Sequence, residues 1–330
     1  MKKKLLKVLK YILTFGLTGF LVYLALRGMD WHSFMEGLKD TKWIFVIGSL
    51  GFALLALVFR SERWRDLMVP VNPEIRRIDL WNACNIGNLV SIGVPWISFL
   101  VRCGAVTDKR TPYDKTLGTF IMERAWDMLM VLVLAIIAIS LNSGDIARWF
   151  VDNIAMKFVG RLNVTLILAA LILVLTVVLL IFFAFRLKDK NAIAAKIAEW
   201  LIGIWDGLKS FGQMKHKVRF VFYTAGIWLS YVMMSWCVFK AVPVLNHLNF
   251  ADALFVSIVG NLSSLLPVPG GFGAYHYFVA LALSSLYGAS WETGILFATL
   301  THETRSLLLV ALGAVSMMSA QKRKIVIKED

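Results

Sequence analysis

Two short charged runs interrupt otherwise apolar stretches of this 330-residue chain. One is Glu123-Arg124-x-x-Asp127 and the other is His302-Glu303-x-Arg305. An ionised side chain at the middle of a bilayer costs about 2.5–3.5 kcal/mol on insertion scales, and such groups usually face a cavity or a partner. Arg124 and Asp127 are three apart and Glu123 and Asp127 four apart, so a helix brings them onto one face. That face can hold an anionic substrate through its arginine or carry a coupling ion on its carboxylates. The alternative is structural: the charges pair with one another and lock helices together.

A second group of residues offers backbone rather than side-chain chemistry. The stretch NLSSLLPVPGGFG, residues 261–273, places Pro267, Pro269, Gly270, Gly271 and Gly273 inside an apolar segment. A proline within a helix removes a hydrogen bond and clashes with the preceding turn. In lipid such a break is tolerated only inside protein or beside a wet cavity. The helix N-termini it creates favour anions, and the glycines let backbone or phosphate approach closely. Residues 80–101 are broken in the same way by Gly87, Gly93 and Pro95. Asn88-Leu89-Val90-Ser91 before Pro95 resembles Asn261-Leu262-Ser263-Ser264 before Pro267, and Glu123-Arg124 resembles Glu303-Thr304-Arg305. The candidate substrate-binding set is therefore Asn88, Ser91, Arg102, Glu123, Arg124, Asp127, Asn261, Ser264, Pro267, Pro269, Gly270, Gly271, Glu303 and Arg305.

The elements that position these residues follow from composition. The chain is 58% hydrophobic and 17% charged, with mean hydropathy +0.70. Soluble domains average about 45–50% apolar and about 25% charged residues. Apolar runs of about 20 residues recur, the length that crosses a hydrocarbon core, and the alternating pattern of a β-barrel strand is missing. The fold expected is an all-α polytopic membrane protein. Full spans are expected at about 11–26, 43–59, 115–141, 162–185, 218–241 and 291–318.

Charge orients them. Of the 35 basic residues, 26 fall in five groups: the N-terminal tail, 60–77, 102–115, 186–219 and the C-terminal tail. Lys and Arg concentrate in cytoplasmic loops, so the net charge of +14 marks a membrane face rather than a nucleic-acid surface. The groups flanking 80–101 both belong in the cytoplasm, so that segment enters and leaves on one side as a re-entrant hairpin. The same reasoning makes 253–288 a hairpin from the outside. Six full spans plus two re-entrant helical hairpins then form an inverted repeat within one integral membrane domain, 1–330. Repeat one covers about 11–141 and repeat two about 162–318. An amphipathic linker covers about 188–215, with Ile193, Ile197, Leu201, Ile204, Leu208 and Phe211 at helical spacing, and a basic tail covers 319–330. Inverted repeats with Gly/Pro-broken segments at matching positions point to a transporter's central site. Both termini are cytoplasmic in this arrangement, and the apolar N-terminal run lacks a small-residue cleavage site, so it reads as a retained span.

Enzymatic motifs are missing: HExxH, CxxC, Walker and Gly-x-Ser-x-Gly patterns do not occur. His302-Glu303 lacks a second histidine at ligand spacing, and His276 reads as a packing residue, so no metal and no cofactor are expected. The three cysteines, Cys84, Cys103 and Cys237, are scattered and read as reduced thiols.

Asn-x-x-Ser then Pro, Arg102-Cys103-Gly104, Glu123-Arg124-x-x-Asp127, PVPGGFG and the late Arg305 together resemble the lysylphosphatidylglycerol synthase transmembrane-region family, also called flippase-like domain proteins. The resemblance covers nearly the whole chain. It implies an integral protein of a bacterial or archaeal cytoplasmic membrane that moves aminoacylated or anionic phospholipid between leaflets. The soluble synthase domain of multidomain relatives is not expected in this chain, so no enzymatic activity is expected, and a separate lipid-modifying enzyme is a possible partner. The resemblance also implies an Arg and a Glu after the first-hairpin proline, where this chain has Trp96 and Phe99. Two other functions remain open: an ion-coupled transporter of a small anion, and a non-transporting membrane subunit.

Overall fold

The computed structural model describes residues 15–141, 148, 176, 179, 182–188, 191–263, 266 and 268–329, with 322–329 as backbone only. Every regular element among the described residues is helical. The first half contains α1 (Phe15–Leu26), α2 (Trp31–Lys39), α3 (Trp43–Met68), α4 (Arg77–Gly93), α5 (Pro95–Gly104) and α6 (Tyr113–Leu141). The second half contains α7 (Ala192–Gln213), α8 (Lys217–Ala241), α9 (Phe250–Ser263), α10 (Ala274–Tyr287), α11 (Trp291–Ala298) and α12 (Thr304–Glu329). A π-turn, Thr299–Glu303, joins α11 to α12.

Four units have the length and apolarity to cross a membrane: α3, α6, α8 and the continuous run Trp291–Gln321. Their outer faces carry large apolar side chains in the open, among them Ile44, Ile47, Leu132, Ile136 and Leu307. In water such a surface would be unfavourable over so many turns. The protein is a multi-pass helical membrane protein. The expected span at 162–185 falls almost wholly outside the described residues, and so do residues 11–14 of the first one.

Both broken segments are helix–break–helix pairs. Val94, kept out of the helical region by the following proline, has φ −138° and ψ 77° and separates α4 from α5, which pack together. The second break is wider: Pro269–Gly271 forms a single 3-10 turn between α9 and α10, which also pack together. The two breaks touch, because α4 packs on that turn, with Ile92 beside Gly270.

The pattern of helix contacts repeats under an exchange of halves. α3 packs on α4 as α8 packs on α9, α12 lies along α4 as α6 lies along α9, and α2 sits on α11 as α7 sits on α6. The exchanged partners α3 and α8 pack directly against each other. They run antiparallel: the Lys42 N–H donates to the Ala241 carbonyl, Gly48 faces Cys237, Phe59 crosses Gly226 and Asp66 pairs with Arg219. The same sequence interval separates Gly87 from Gly260, Asn88 from Asn261 and Arg102 from Tyr275. Gly87 admits Arg102 to the α4–α5 crossing, and Gly260 admits Tyr275 to the α9–α10 crossing.

The packing of α7 adds to its apolar periodicity. Its buried stripe is Ala194, Ala198, Gly203, Gly207 and Ser210, and Gly203 and Gly207 dock on α6. Ile193 and Ile197 point outward, while Leu201, Ile204, Leu208 and Phe211 flank the contact. Small residues win the interface because they allow the two backbones to approach.

The turn after Pro269 depends on backbone freedom at Gly273, whose φ is +78°. A Cβ there would stand 2.5 Å from the Val22 backbone nitrogen of α1. Gly273→Ala should therefore lower stability by about 2–4 kcal/mol, from a left-handed conformation plus steric overlap. Gly288→Ala is the comparison: its φ is +64° but no atom lies within 4 Å of the added Cβ, so only about 1–2 kcal/mol is expected. Thermal unfolding of both variants in detergent checks the difference.

Candidate functional site

Glu123 is fully buried on α6, and four guanidiniums converge on it. Arg102 Nη2 from α5 donates to Oε2 at 2.6 Å. Arg63 Nη2 from α3 and Arg124 Nη2 from α6 each donate to Oε1 at 3.2 Å. Arg60 Nε stands 3.5 Å from the same oxygen. Asp127, one turn further along α6, accepts from Arg63 Nη2 at 2.7 Å and Arg60 Nη2 at 3.1 Å, and Arg124 Nη1 stands 3.3 Å away.

Aromatic rings wall this cluster. The Arg102 guanidinium lies 4.1 Å over the ring of Trp64, whose Nε1–H donates to Thr119 Oγ1 at 3.1 Å. Phe120 sits under both Arg102 and Arg124, at 5.4 and 5.1 Å. Phe99, where the resemblance implied a charge, stacks on Phe120 with the rings 22° apart. It therefore supports the arginines from behind.

The charge is unequal. Arg60, Arg63, Arg102 and Arg124 face Glu123 and Asp127, four cations against two anions. Several donors are also unused: Arg63 Nε and Nη1, Arg102 Nε and Arg124 Nε are buried without a hydrogen bond. Buried charge and buried donors without partners are costly, and such an arrangement can take an acceptor-rich anion. A guanidinium fork matches phosphate or carboxylate oxygens. On α6, Arg124 is 38% exposed. It belongs to the outward stripe of Ile121, Met128, Leu132 and Ile136, which are exposed.

Arg60 and Arg63 escaped the sequence reading, which ended the span at residue 59 and placed 60–77 in a cytoplasmic loop. In the structure the helix continues past that limit to Met68. The signal was present, because Ala53, Ala56, Leu57, Arg63, Trp64 and Leu67 keep helical spacing and all are buried.

The second charged run lies in a different cluster. Glu303 Oε1 accepts from or pairs with His302 Nδ1 at 2.8 Å and stands 3.5 Å from His276 Nε2. One ligating atom each from His276, His302 and Glu303 lies within 4.8 Å of the others, a grouping suited to a metal ion. The second histidine that the sequence lacked at ligand spacing thus comes from α10. Arg305 lies 5.4 Å over the ring of Tyr231 on α8.

The remaining predicted residues serve the breaks. Ser91 Oγ donates to the Asn88 carbonyl at 2.6 Å, and Asn261 Nδ2 to the Ser257 carbonyl at 2.8 Å. Asn88 Nδ2 is buried without a hydrogen bond. Pro269 is buried and Gly270 and Gly271 have φ +59° and +79°. Ser264 and Pro267 lie outside the described residues.

Comparisons with curated proteins and with solved structures each gave no match. A family model described as Lysylphosphatidylglycerol synthase TM region matches residues 9–313 of the 330. That stretch takes in both broken segments and both charged clusters, and the chain belongs to the lysylphosphatidylglycerol synthase TM region family.

Proposed function

We propose that this protein moves an anionic or aminoacylated phospholipid, or another lipid-linked anion, between membrane leaflets without making or breaking a covalent bond. The observation that carries this reading is the surplus of two buried guanidiniums with unused N–H groups around Glu123 and Asp127. A headgroup phosphate would occupy those donors and balance that charge. The exposure of Arg124 on the outward, apolar stripe of α6 favours a lipid over a free anion, since the headgroup could reach the site sideways while its tails stay in hydrocarbon.

The antiparallel packing of α3 on α8 and the exchangeable contacts of the two halves support an inverted repeat with re-entrant pairs α4–α5 and α9–α10. Rocking of one repeat against the other around the touching breaks would alternate access. The setting is the cytoplasmic membrane of a bacterium or archaeon with both termini inside, and a separate lipid-modifying enzyme is a natural supplier of substrate.

The test is a leaflet assay in proteoliposomes with fluorescent phosphatidylglycerol and phosphatidylcholine. Wild-type protein should move the anionic probe, and Arg124→Ala and Arg305→Ala should each slow it at least about 10-fold, the worth of one charge-assisted hydrogen bond. Movement no faster than in empty vesicles overturns the translocase reading. Uptake of soluble phosphate without lipid movement would assign the site to a small-anion transporter instead.

A further inference from the structure

We propose that His276, His302 and Glu303 form a binding site for a first-row divalent transition metal, with Zn²⁺ as its natural occupant. This inference does not depend on the lipid reading. Two imidazoles and one carboxylate are a donor set that suits Zn²⁺, as in catalytic zinc sites with three protein ligands and an open fourth position.

The geometry is already close. With metal–ligand bonds of about 2.0–2.1 Å, tetrahedral donors stand about 3.3 Å apart. The distances here are 2.8 Å from Glu303 Oε1 to His302 Nδ1 and 3.5 Å to His276 Nε2, and all three ligating atoms lie within 4.8 Å. Consecutive helical side chains such as His302 and Glu303 normally point about 100° apart. The π-turn Thr299–Glu303 alters that spacing, and their polar atoms meet. Single π-turns recur at functional sites.

Charge supplies the second argument. Glu123 has four arginines around it, whereas the ion partners of Glu303 among the described residues are the two histidines. A carboxylate within an apolar span is expensive without a cation beside it. A divalent cation would be held by all three. His276 Nδ1 is buried without a hydrogen bond, and its Nε2, the atom facing Glu303, is the one placed to ligate.

The surroundings fit a metal centre as well. Tyr275 lies against the His302 ring at 4.8 Å and Phe272 meets it edge-on at 5.7 Å, which fixes its orientation. Side-chain exposures of 12% for His276 and 10% for His302 contrast with 28% for Glu303, so access and the open fourth position lie on the carboxylate side. A Cβ on Gly271 would stand 3.1 Å from His302 Nε2, so the Pro269–Gly271 turn covers the site. A metal here would tie α10 to the last span directly beneath the second break.

The test uses the full-length protein in detergent, stripped of metal and titrated with Co²⁺ and then Zn²⁺. One Co²⁺ per chain with the visible spectrum of tetrahedral coordination, displaced by Zn²⁺, is expected. His276→Ala and His302→Ala should each weaken binding by about 100-fold or more, since even second-shell losses cost 10–100-fold, while His247→Ala, an exposed histidine elsewhere, should not. Less than stoichiometric binding to the wild type, an octahedral Co²⁺ spectrum, or unchanged affinity in His276→Ala overturns the proposal. The wild-type titration decides even if a variant fails to fold.

Discussion

Glu123→Ala is expected to lower stability by about 3–5 kcal/mol, the usual consequence of removing one partner from a buried ion network. Glu123 is the acceptor shared by Arg102, Arg63 and Arg124, with Arg60 alongside. Without it, four guanidiniums would face Asp127 alone, inside a span where water cannot replace the lost carboxylate. Thermal unfolding in detergent reads the effect. Arg63→Met supplies the contrast, because Arg63 is fully buried and leaves Nε and Nη1 without hydrogen bonds. Removing one of the surplus cations should destabilise by much less, or even stabilise, while lipid movement falls. Such a trade is typical where a site is strained for function. Equal losses in the two variants would show that the cluster is a balanced structural lock. Phosphatidylglycerol should also raise the wild-type midpoint more than phosphatidylcholine does, through preferential binding to the folded state.

Gly118→Leu is the second large effect. Gly118 on α6 and Gly207 on α7 meet backbone to backbone: a Cβ on either would come within 2.7 Å of the other's Cα and overlap a carbonyl oxygen of the opposing helix. No rotamer relieves such an overlap, because Cβ has no torsion of its own. The helices must separate, at a cost at the upper end of the about 1–3 kcal/mol typical of overpacking. Gly207→Leu should act alike, whereas Gly212→Leu, at a position with no atom within 4 Å of its Cβ, should be tolerated. Undocking of α7 is read by the loss of a cysteine cross-link placed across the α6–α7 contact. An unchanged cross-link yield in Gly118→Leu would show that the two helices are not in register here.

Hydropathy and charge were enough to read an all-helical membrane protein from the residues, and the motifs around Glu123-Arg124-x-x-Asp127 and PVPGGFG carried the resemblance to its family. Twenty-residue apolar runs have few other uses, and lipid demands that backbone groups be satisfied within each helix. The breaks at Pro95 and at Pro269–Gly271 were equally legible, since proline and glycine act on the local backbone. One span limit was not. Arg60 and Arg63 looked like loop residues because charge signals an interface, yet α3 carries them inward once partners neutralise them. The apolar stripe of α7 was legible from its helical spacing, whereas its contact with α6 through Gly203 and Gly207 depends on packing.

The site itself divides the same way. Glu123, Arg124 and Asp127 are neighbours on one helix, so their association follows from the 3.6-residue period alone. That Arg102, Arg63 and Arg60 complete the cluster depends on how α5 and α3 pack against α6, and residues from 21 to 67 positions apart must meet. His276 joins His302 and Glu303 only through the packing of α10 on the last span. The sequence by itself determined which residues are polar in an apolar setting. Only the tertiary structure decided that they form two unlike centres, one rich in cations and one rich in metal-type donors, because which charges meet is set by helix crossings between distant segments and not by any local spacing.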